Sequence, residues 1–205
     1  MEDVSIPSDR DALREYVLNG EDEAKYFRRA FDCIDRNGHR NLYDLGRLMI
    51  LQGCRPEELM TLRKDHVNLE SRQIRIDAGK TKSARRNLDL CDESVEILAA
   101  RMDGDSPWVF PSDRTPGRPI GKLQGPHDKV CRETGVSFVI YDLGHTFATR
   151  LIESGVDVPT AAAILGHNGL RTIYRYVHPA SGHKKEAMQK FQAAQMRKKL
   201  KVVSR

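Results

Sequence analysis

Two residues near the end of the sequence have types and a spacing that suit phosphoryl transfer. His167 and Tyr176 lie nine residues apart in the string LGHNGLRTIYRYVH, which covers residues 165–178. A tyrosine hydroxyl can attack phosphorus, and its aryl ester stores the bond energy needed to reseal a phosphodiester. A histidine can hydrogen bond to phosphate or exchange a proton with the nucleophile, because its ring titrates near neutral pH. Tyr174 offers a second hydroxyl, but the two tyrosines would lie about 200° apart on a helix, so only one can face a given pocket.

Cleavage of a phosphodiester also requires cations on the phosphate oxygens and an acid for the leaving oxygen. Arg55 offers a planar fork of donors that suits two phosphate oxygens, and Glu58 lies one helical turn later, where it could orient the guanidinium. The same two residues could instead form an ordinary surface ion pair. Lys80 lies in a predicted hairpin turn, where its ammonium could reach a leaving oxygen. Three further basic residues follow and are candidate contacts to DNA phosphates: Lys82, Arg85 and Arg86.

In this order and with these gaps, the residues resemble the catalytic signature of the tyrosine recombinases, the phage integrase family, which cut and rejoin DNA through a phosphotyrosine. The resemblance covers about residues 20–180. The family spacing from the Leu-Gly-His histidine selects Tyr176 of the two tyrosines as the nucleophile. The resemblance also implies that Arg55 binds phosphate, that Lys80 is the catalytic lysine with Lys82 as its substitute, and that His167 assists at the phosphate.

The sequence departs from the family pattern at Gly144. The pattern places His-x-x-Arg before a Thr-Phe-Ala-Thr helix, whereas this chain has Tyr141-x-x-Gly144. Tyr141 keeps a hydrogen-bonding ring and is expected in the site, but the glycine removes the second phosphate-binding guanidinium. The loss of one preorganised donor typically costs ~3 kcal/mol or more, a factor of about a hundred to a thousand in rate. We therefore predict weak or absent strand cleavage.

Neighbouring residues are poor substitutes for the missing arginine. Arg150 lies six residues further along the same predicted helix, about 240° around its axis, so it should point away from the site. Arg171 and Arg175 belong to another segment and stay open as substitutes. His145 follows the arginine position and is expected to be structural. Nothing in the local folding demands the glycine.

The charge distribution favours a polyanionic partner. The 205 residues include 34 Lys and Arg against 29 Asp and Glu, a formal charge of +5. Residues 1–35 hold ten acidic and five basic residues, so residues 36–205 carry about +10. Double-stranded DNA fits this asymmetry better than a membrane surface, because no Lys-rich amphipathic segment has a strong aromatic face.

Cysteine usage and the N-terminal composition indicate a cytoplasmic protein. The four cysteines lie far apart without a C-x-x-C pair, which argues against a disulfide framework or a zinc finger. The first fifteen residues are rich in acids and lack the apolar core of a signal peptide, and no apolar run reaches eighteen residues. The histidines lack metal-ligand spacing, and we expect neither a metal nor a cofactor.

Hydrophobic periodicity predicts a mainly α protein with a small antiparallel β-sheet, an α+β arrangement like that of a tyrosine recombinase catalytic domain. Alternation in residues 73–77 and 86–90 predicts a hairpin around the turn 78–83. The remaining elements are predicted helices, which run from Glu21 to Ile34, from Leu42 to Leu51, from Pro56, over 93–102 with Asp92 as the N-cap, and over 119–134, 143–154, 159–165, 169–175 and 183–200.

The predicted organisation has three parts. Residues 1–19 form a linker or N-terminal extension, residues 20–180 form the catalytic domain, and residues 181–205 form a basic C-terminal helix or tail. An apolar line through Ala187, Phe191 and Ala194 could dock on a neighbouring protomer or pack on its own domain, and both interpretations stay open. The chain has no room for the family's N-terminal DNA-clamping domain, so we expect a catalytic-domain fragment or a short form.

The sequence therefore predicts a site-specific recombinase or integrase of a mobile element, impaired by Gly144. Its partner is double-stranded DNA, on which it self-associates. An inactive DNA-binding remnant or accessory protein of the same fold is the alternative. A type IB topoisomerase-like enzyme would share the chemistry, but the chain is short for one.

Overall fold

Helices form where apolar residues recur every three or four positions, and they make up most of the regular secondary structure. The computed structural model describes residues 16–77, 85–167 and 170–176, together with positions 188, 189, 191, 192 and 196. Within these residues the helices are α1 (Gly20–Phe31), α2 (Asn41–Gln52), α3 (Pro56–Met60), α4 (Asp92–Ala99), α5 (Gln124–Thr134), α6 (Asp142–Glu153), α7 (Val158–Leu165) and α8 (Leu170–Ile173). Two 3-10 turns cover Lys64–His66 and Tyr174–Tyr176.

An antiparallel sheet of three short strands accompanies the helices. The strands are β1 (Val67–Asn68), β2 (Gln73–Ile76) and β3 (Arg86–Asp89), in the spatial order β1-β2-β3. Ile74 pairs with Leu88 and both are buried, whereas the next pair, Arg75 and Asn87, is exposed, so side-chain alternation sets the register. These findings confirm the predicted hairpin and the mainly helical fold with a small antiparallel sheet. The strand β1 was not predicted, because two residues are too few to show alternation.

Helix α2 lies at the centre of the main core. Leu45, Leu48 and Met49 on this helix have no exposed surface, and α2 packs against α1, α3, α4 and α6. A second, smaller cluster joins α6, α7, α8 and the last 3-10 turn, and its buried members are Ala148, Ala161, Ala162, Leu165, Ile173 and Tyr176. This second cluster fixes the segment that carries Tyr176 against α6 and α7.

The predicted helix start at residue 119 is wrong, because α5 begins at Gln124. The Ile120 amide donates instead to the Phe110 carbonyl oxygen at 2.7 Å, next to an antiparallel bridge between Pro111 and Pro119. Backbone groups that pair with a segment ten residues earlier cannot also pair within a helix.

Two smaller boundary predictions also need correction. Helix α1 ends at Phe31, so Ile34 lies beyond it and its side chain is exposed. Helix α4 includes Asp92 as its first residue, with Cys91 at the N-cap position, so Asp92 does not cap the helix, and α4 ends at Ala99. Both errors amount to a few residues, because periodicity does not define the ends of a helix closely.

The two ends of the chain are described only in part. Leu18, assigned above to the N-terminal extension, is fully buried, and its amide donates to Oγ1 of Thr146 at 2.9 Å. Residues 1–15 and most of the predicted helix 183–200 lie outside the described residues, although the separate positions from 188 to 196 given above are helical. No helix in the described part of the chain has both the length and the apolar character needed to cross a membrane.

A glycine at the end of α2 brings this helix close to α6. Gly53 has a φ of 65°, in the left-handed region that favours glycine. A Cβ atom at this position would lie 2.4 Å from Cδ1 of Phe147 on α6. The absence of a side chain at Gly53 therefore allows Cys54 and Arg55, which follow it, to lie beside α6.

Candidate active site

The residues predicted to do chemistry meet in a cleft of about 90 Å³ between the C-terminal end of α2 and the N-terminal end of α6. Its walls come from the connection between α2 and α3, the first turn of α6, the residues after α7 and the last 3-10 turn. The cleft brings together five residues predicted from the sequence: Arg55, Tyr141, Gly144, His167 and Tyr176. The predicted Lys80 and Lys82 lie outside the described residues, as does the rest of the hairpin turn, residues 78–84.

Arg55 is positioned by a hydrogen-bonded turn at the start of α3. The Arg55 amide donates to Oε2 of Glu58 at 2.9 Å, and the Arg55 guanidinium donates to Oε1 of Glu58 at 2.8 Å. Pro56 fits the first helical position, where no backbone donor is needed. Glu58 therefore orients Arg55, as the spacing of the two residues predicted, and the guanidinium lines the cleft.

Arg86 lies on the other side of Glu58 and connects three segments. Its guanidinium donates to both carboxylate oxygens of Glu58 at 3.0 Å, and its Nε donates to the carbonyl oxygen of Ile164 near the end of α7 at 2.6 Å. Only 7% of the Arg86 side chain is exposed. The prediction that Arg86 contacts DNA is corrected by this position, because its donors are committed to protein groups in the interior. Arg85, just before β3, is exposed and stays a candidate DNA contact.

Glu58 carries a buried negative charge, since only 3% of its side chain is exposed. Burial alone would raise the pKa of Glu58, but the hydrogen bonds from Arg86 and the Arg55 amide, with the two guanidinium charges, lower that pKa below its usual value. The carboxylate is therefore ionised at neutral pH. One carboxylate and two guanidinium groups leave one net positive charge, which is presented to the cleft by Arg55.

Two other ionisable groups of the cleft stay protonated at neutral pH. Burial raises the pKa of the Cys54 thiol to about 12, so this thiol is not a nucleophile. Tyr141 lines the cleft as predicted, and its hydroxyl donates to a carboxylate oxygen of Glu57 on α3. Burial, together with this hydrogen bond and the Glu57 charge, raises the pKa of Tyr141 to about 12.

The two tyrosines of the last described turn point in different directions. Tyr176 is 5% exposed and lines the cleft, whereas Tyr174 is 60% exposed. The Tyr176 hydroxyl lies 2.6 Å from Nδ1 of His145 on α6. Its burial in the cleft that Arg55 also lines, in contact with an imidazole, favours Tyr176 as the nucleophile of this site.

His145 is the site residue that the sequence reasoning missed. We expected it to be structural, yet its ring contacts the candidate nucleophile. A signal was present in the sequence, because residues four apart on a helix share a face. Since Tyr141 was expected in the site, His145 should have been placed there as well.

Position 144 has room for a larger residue. A Cβ atom built on Gly144 meets nothing within 4 Å, and the backbone there is not in the left-handed region. Arg150 does not fill this space, because its guanidinium binds the Leu18 carbonyl oxygen at 2.9 Å and Glu23 at 2.7 Å. The side chains of Arg171 and Arg175 lie outside the described part of the structure. Neither backbone nor packing requires glycine here.

The cleft thus combines a tyrosine hydroxyl, an imidazole in contact with it and a guanidinium held by a buried carboxylate. These are the groups needed to hold a phosphodiester, attack it and stabilise the charge that develops. In the described part of the chain, no group of three or more His, Cys, Asp or Glu side chains is arranged to hold a metal ion.

Comparison with known proteins matches this chain to one family. The model of the phage integrase family matches residues 28–183. Tyrosine recombinase XerA of Thermococcus kodakarensis is 32% identical over 146 residues, which make up 67% of this chain and 51% of that protein. The solved structure of the Tn1549 transposon integrase with circular intermediate DNA is 18% identical, with a TM-score of 0.71 over 86% of this chain and 67% of that one.

A further solved structure that matches the chain is that of a catalytic domain. The catalytic domain of bacteriophage HP1 integrase is 20% identical, with a TM-score of 0.61, and the match covers 84% of this chain and 93% of that domain. At these identities the structural matches show a shared fold. The chain spans about half the length of the curated relatives it matches. The predicted likeness to a tyrosine recombinase catalytic domain is confirmed.

We predict that Arg86→Met destabilises the protein by about 3–5 kcal/mol, because it removes one partner of a buried ion pair and leaves the Glu58 charge poorly compensated. Chemical denaturation measures this loss. The double variant Glu58→Gln with Arg86→Met should lose less, since it leaves no buried carboxylate short of a partner. Lys25→Met is the matched control: it breaks the exposed pair with Glu21 and should leave the stability nearly unchanged. A loss in Arg86→Met as small as that of the control would contradict the assigned role.

Proposed function

The chain belongs to the phage integrase family of tyrosine recombinases, and from this membership we propose that it cleaves and rejoins duplex DNA through a 3′-phosphotyrosyl bond to Tyr176. The observation that carries the proposal is the position of the Tyr176 hydroxyl. It lies in the same cleft as Arg55 and is hydrogen bonded to His145 at 2.6 Å. Such chemistry conserves the energy of the phosphodiester and so suits site-specific recombination or the integration of a mobile element.

In the proposed cleavage, each residue of the site has a separate role. Arg55 binds non-bridging oxygens of the scissile phosphate, and its charge is available because Glu58 is shared with Arg86. His167 lines the same cleft and would hydrogen bond to the phosphate. Lys80, which lies outside the described residues, is the proposed acid for the leaving 5′-oxygen, with Lys82 as its substitute.

Gly144 is proposed to reduce the rate of this reaction. The family pattern supplies a second guanidinium here, and its absence should cost ~3 kcal/mol of transition-state stabilisation. The nucleophile, the imidazole and the first arginine remain assembled, so the expected result is slow cleavage. The alternative of an inactive DNA-binding remnant is not favoured by the comparisons, because the matched relatives are recombinases.

A basic cavity separate from the active-site cleft supports the binding of DNA. Within the described residues, four cations that form no ion pair line a cavity of about 690 Å³ between the α1–α2 connection and the segment that leads into α5. These residues are Arg36, Arg114, Arg118 and Lys122. Only two carboxylates line the same cavity, so its field is positive and suits phosphate groups. We propose that this cavity and the exposed Arg85 contact the DNA backbone.

We also propose that the protein self-associates on DNA through residues 181–205. Met188, Phe191 and Met196 in this segment are exposed, and a partner could bury these apolar side chains. A DNA substrate and four free cysteines fit a cytoplasmic location, which we propose as well.

We predict that the protein forms a covalent adduct with a duplex library that carries a randomised core and a 5′-bridging phosphorothiolate. The thiol released by cleavage rejoins poorly, so adducts accumulate on a denaturing gel, and sequencing of the trapped DNA identifies the preferred site. Tyr176→Phe should form no adduct, whereas Tyr174→Phe, the matched control, should react like the unchanged protein. Adducts formed by Tyr176→Phe would exclude this residue as the nucleophile.

Gly144→Arg should increase the rate of adduct formation about a hundred- to a thousand-fold, because the restored guanidinium supplies the missing donor and position 144 has space for it. The same gel assay measures the rate. The variant should be at least as stable as the unchanged protein, since glycine in a helix is unfavourable by about 0.5–1 kcal/mol. A folded variant with an unchanged rate would show that the missing arginine does not limit cleavage.

We predict that the double variant Arg118→Ala with Lys122→Ala binds duplexes of any sequence more weakly. The slope of log affinity against log salt should become shallower by about 2, since two phosphate contacts are lost. Fluorescence anisotropy at several salt concentrations measures both quantities. The control is Arg28→Ala with Arg132→Ala, which removes two exposed arginines outside this cavity. Equal effects in the two double variants would show that the cavity is not a DNA contact.

A further inference from the structure

A tyrosine that attacks phosphorus must give up its hydroxyl proton, and this requirement points to His145. We infer that His145 is a catalytic residue that accepts the Tyr176 proton during cleavage and returns it during rejoining. The inference rests on the proposed function, since it assumes that Tyr176 is the nucleophile. It assigns a role to a residue that the sequence pattern alone left as structural.

The geometry of the pair suits proton transfer. Nδ1 of His145 lies 2.6 Å from the Tyr176 hydroxyl oxygen, and the two ring planes are inclined by 37° with their centroids 5.7 Å apart. Tyr176 is buried and His145 is half-buried. A short hydrogen bond in such surroundings is stronger than one in water, and it keeps the proton path direct.

The other ring near the start of α6 is committed elsewhere. Tyr141 occupies the position where the family pattern has a histidine, but its hydroxyl donates to Glu57 and keeps its own proton at neutral pH. His145 follows four residues later on the same face of α6 and carries the imidazole that Tyr141 lacks. The described residues thus place a titratable imidazole against the nucleophile even though the usual histidine is absent.

The start of α6 also favours the charge that develops on Tyr176. His145 is the fourth residue of this helix, so the Tyr176 oxygen lies beside its first turn. The N-terminal end of a helix carries partial positive charge, which stabilises an anion placed next to it. The same element therefore supplies the proton acceptor and part of the stabilisation of the phenolate.

The cleavage step needs no groups beyond Tyr176, His145, Lys80 and the phosphodiester. The O–H bond of Tyr176 breaks and its proton moves to Nδ1 of His145, while the phenolic oxygen forms a bond to phosphorus. The bond from phosphorus to the 5′-oxygen breaks, and that oxygen takes a proton from the Lys80 ammonium. The products are a 3′-phosphotyrosine, a 5′-hydroxyl, an imidazolium and a neutral lysine. Rejoining reverses each transfer, so no further reactant is needed.

The protonation state of Nδ1 can be measured on the full chain without any reaction. Long-range proton–nitrogen correlation spectra of protein with ¹⁵N-labelled histidine distinguish a protonated ring nitrogen from an unprotonated one. The His145 signals are assigned by their loss in His145→Asn. We expect an unprotonated Nδ1 at neutral pH, with a chemical shift that changes in Tyr176→Phe. A protonated Nδ1 would make His145 the hydrogen-bond donor and would overturn the inference.

The rate of adduct formation on the phosphorothiolate library tests the catalytic role. His145→Ala and His145→Asn should both react about 10²–10⁴-fold more slowly, although Asn keeps a hydrogen-bonding group near the position of Nδ1. Added imidazole should restore part of the rate in His145→Ala, where the side chain leaves space. If His145 only positions Tyr176 through a hydrogen bond, His145→Asn will retain the rate and imidazole will have no effect, which would overturn the inference.

The adduct assay distinguishes failure of the His145 inference from failure of the proposed function. Adducts at the unchanged rate in His145→Ala would overturn the role of His145 and leave the proposed function intact. An absence of adducts in every protein, including Gly144→Arg, would overturn the proposed function and this inference with it. Since the thiolate leaves without protonation, these rates do not depend on Lys80 and report on the nucleophile alone.

Discussion

The geometry of the site depends on one buried carboxylate, that of Glu58. A buried negative charge is unfavourable unless it is paired and hydrogen bonded, and here two arginines from separate elements pair with it. Arg55 comes from the start of α3, and Arg86 comes from β3 and also binds the Ile164 carbonyl oxygen near the end of α7. Glu58 therefore fixes the positions of Arg55, strand β3 and the end of α7, which leads to His167. These segments are far apart in the sequence, so their contacts could not be predicted from local spacing.

Contacts that follow from local spacing could be predicted from the sequence. The separation of three residues predicted that Glu58 would orient Arg55, and helical rotation predicted that Tyr174 and Tyr176 would face different ways. Contacts that depend on a distant partner could not. Arg86 follows a basic hairpin turn and was expected to contact DNA phosphates, but the carboxylate that pairs with it lies 28 residues away. The fold class could be predicted for the same reason, since it depends on periodicity.

The helix start before α5 was also predicted wrongly because of a contact with a distant segment. Residues 119–123 carry an apolar pattern compatible with a helix, yet the Ile120 amide bonds to Phe110. Local propensity is weak, and a backbone hydrogen bond to another segment outweighs it. His145 is a different case, because its place on the helix was correctly predicted and only its partner was unknown. The contact with Tyr176 joins residues 31 apart, and it required the fold of the second apolar cluster to be known.

The positions of Gly144 and Arg86 show that chemistry and stability depend on different residues of the same site. A side chain at position 144 would face an open cleft, so its absence leaves no buried group unpaired and no cavity in the core. Loss of Arg86 would instead leave a buried carboxylate with one of its two partners. The arginine that the family pattern places at position 144 can therefore be absent at little cost to folding, whereas Arg86 cannot. Arg55 is held by Glu58, and Tyr176 by its contact with His145. These contacts do not need a side chain at position 144, so the three residues stay assembled around Gly144.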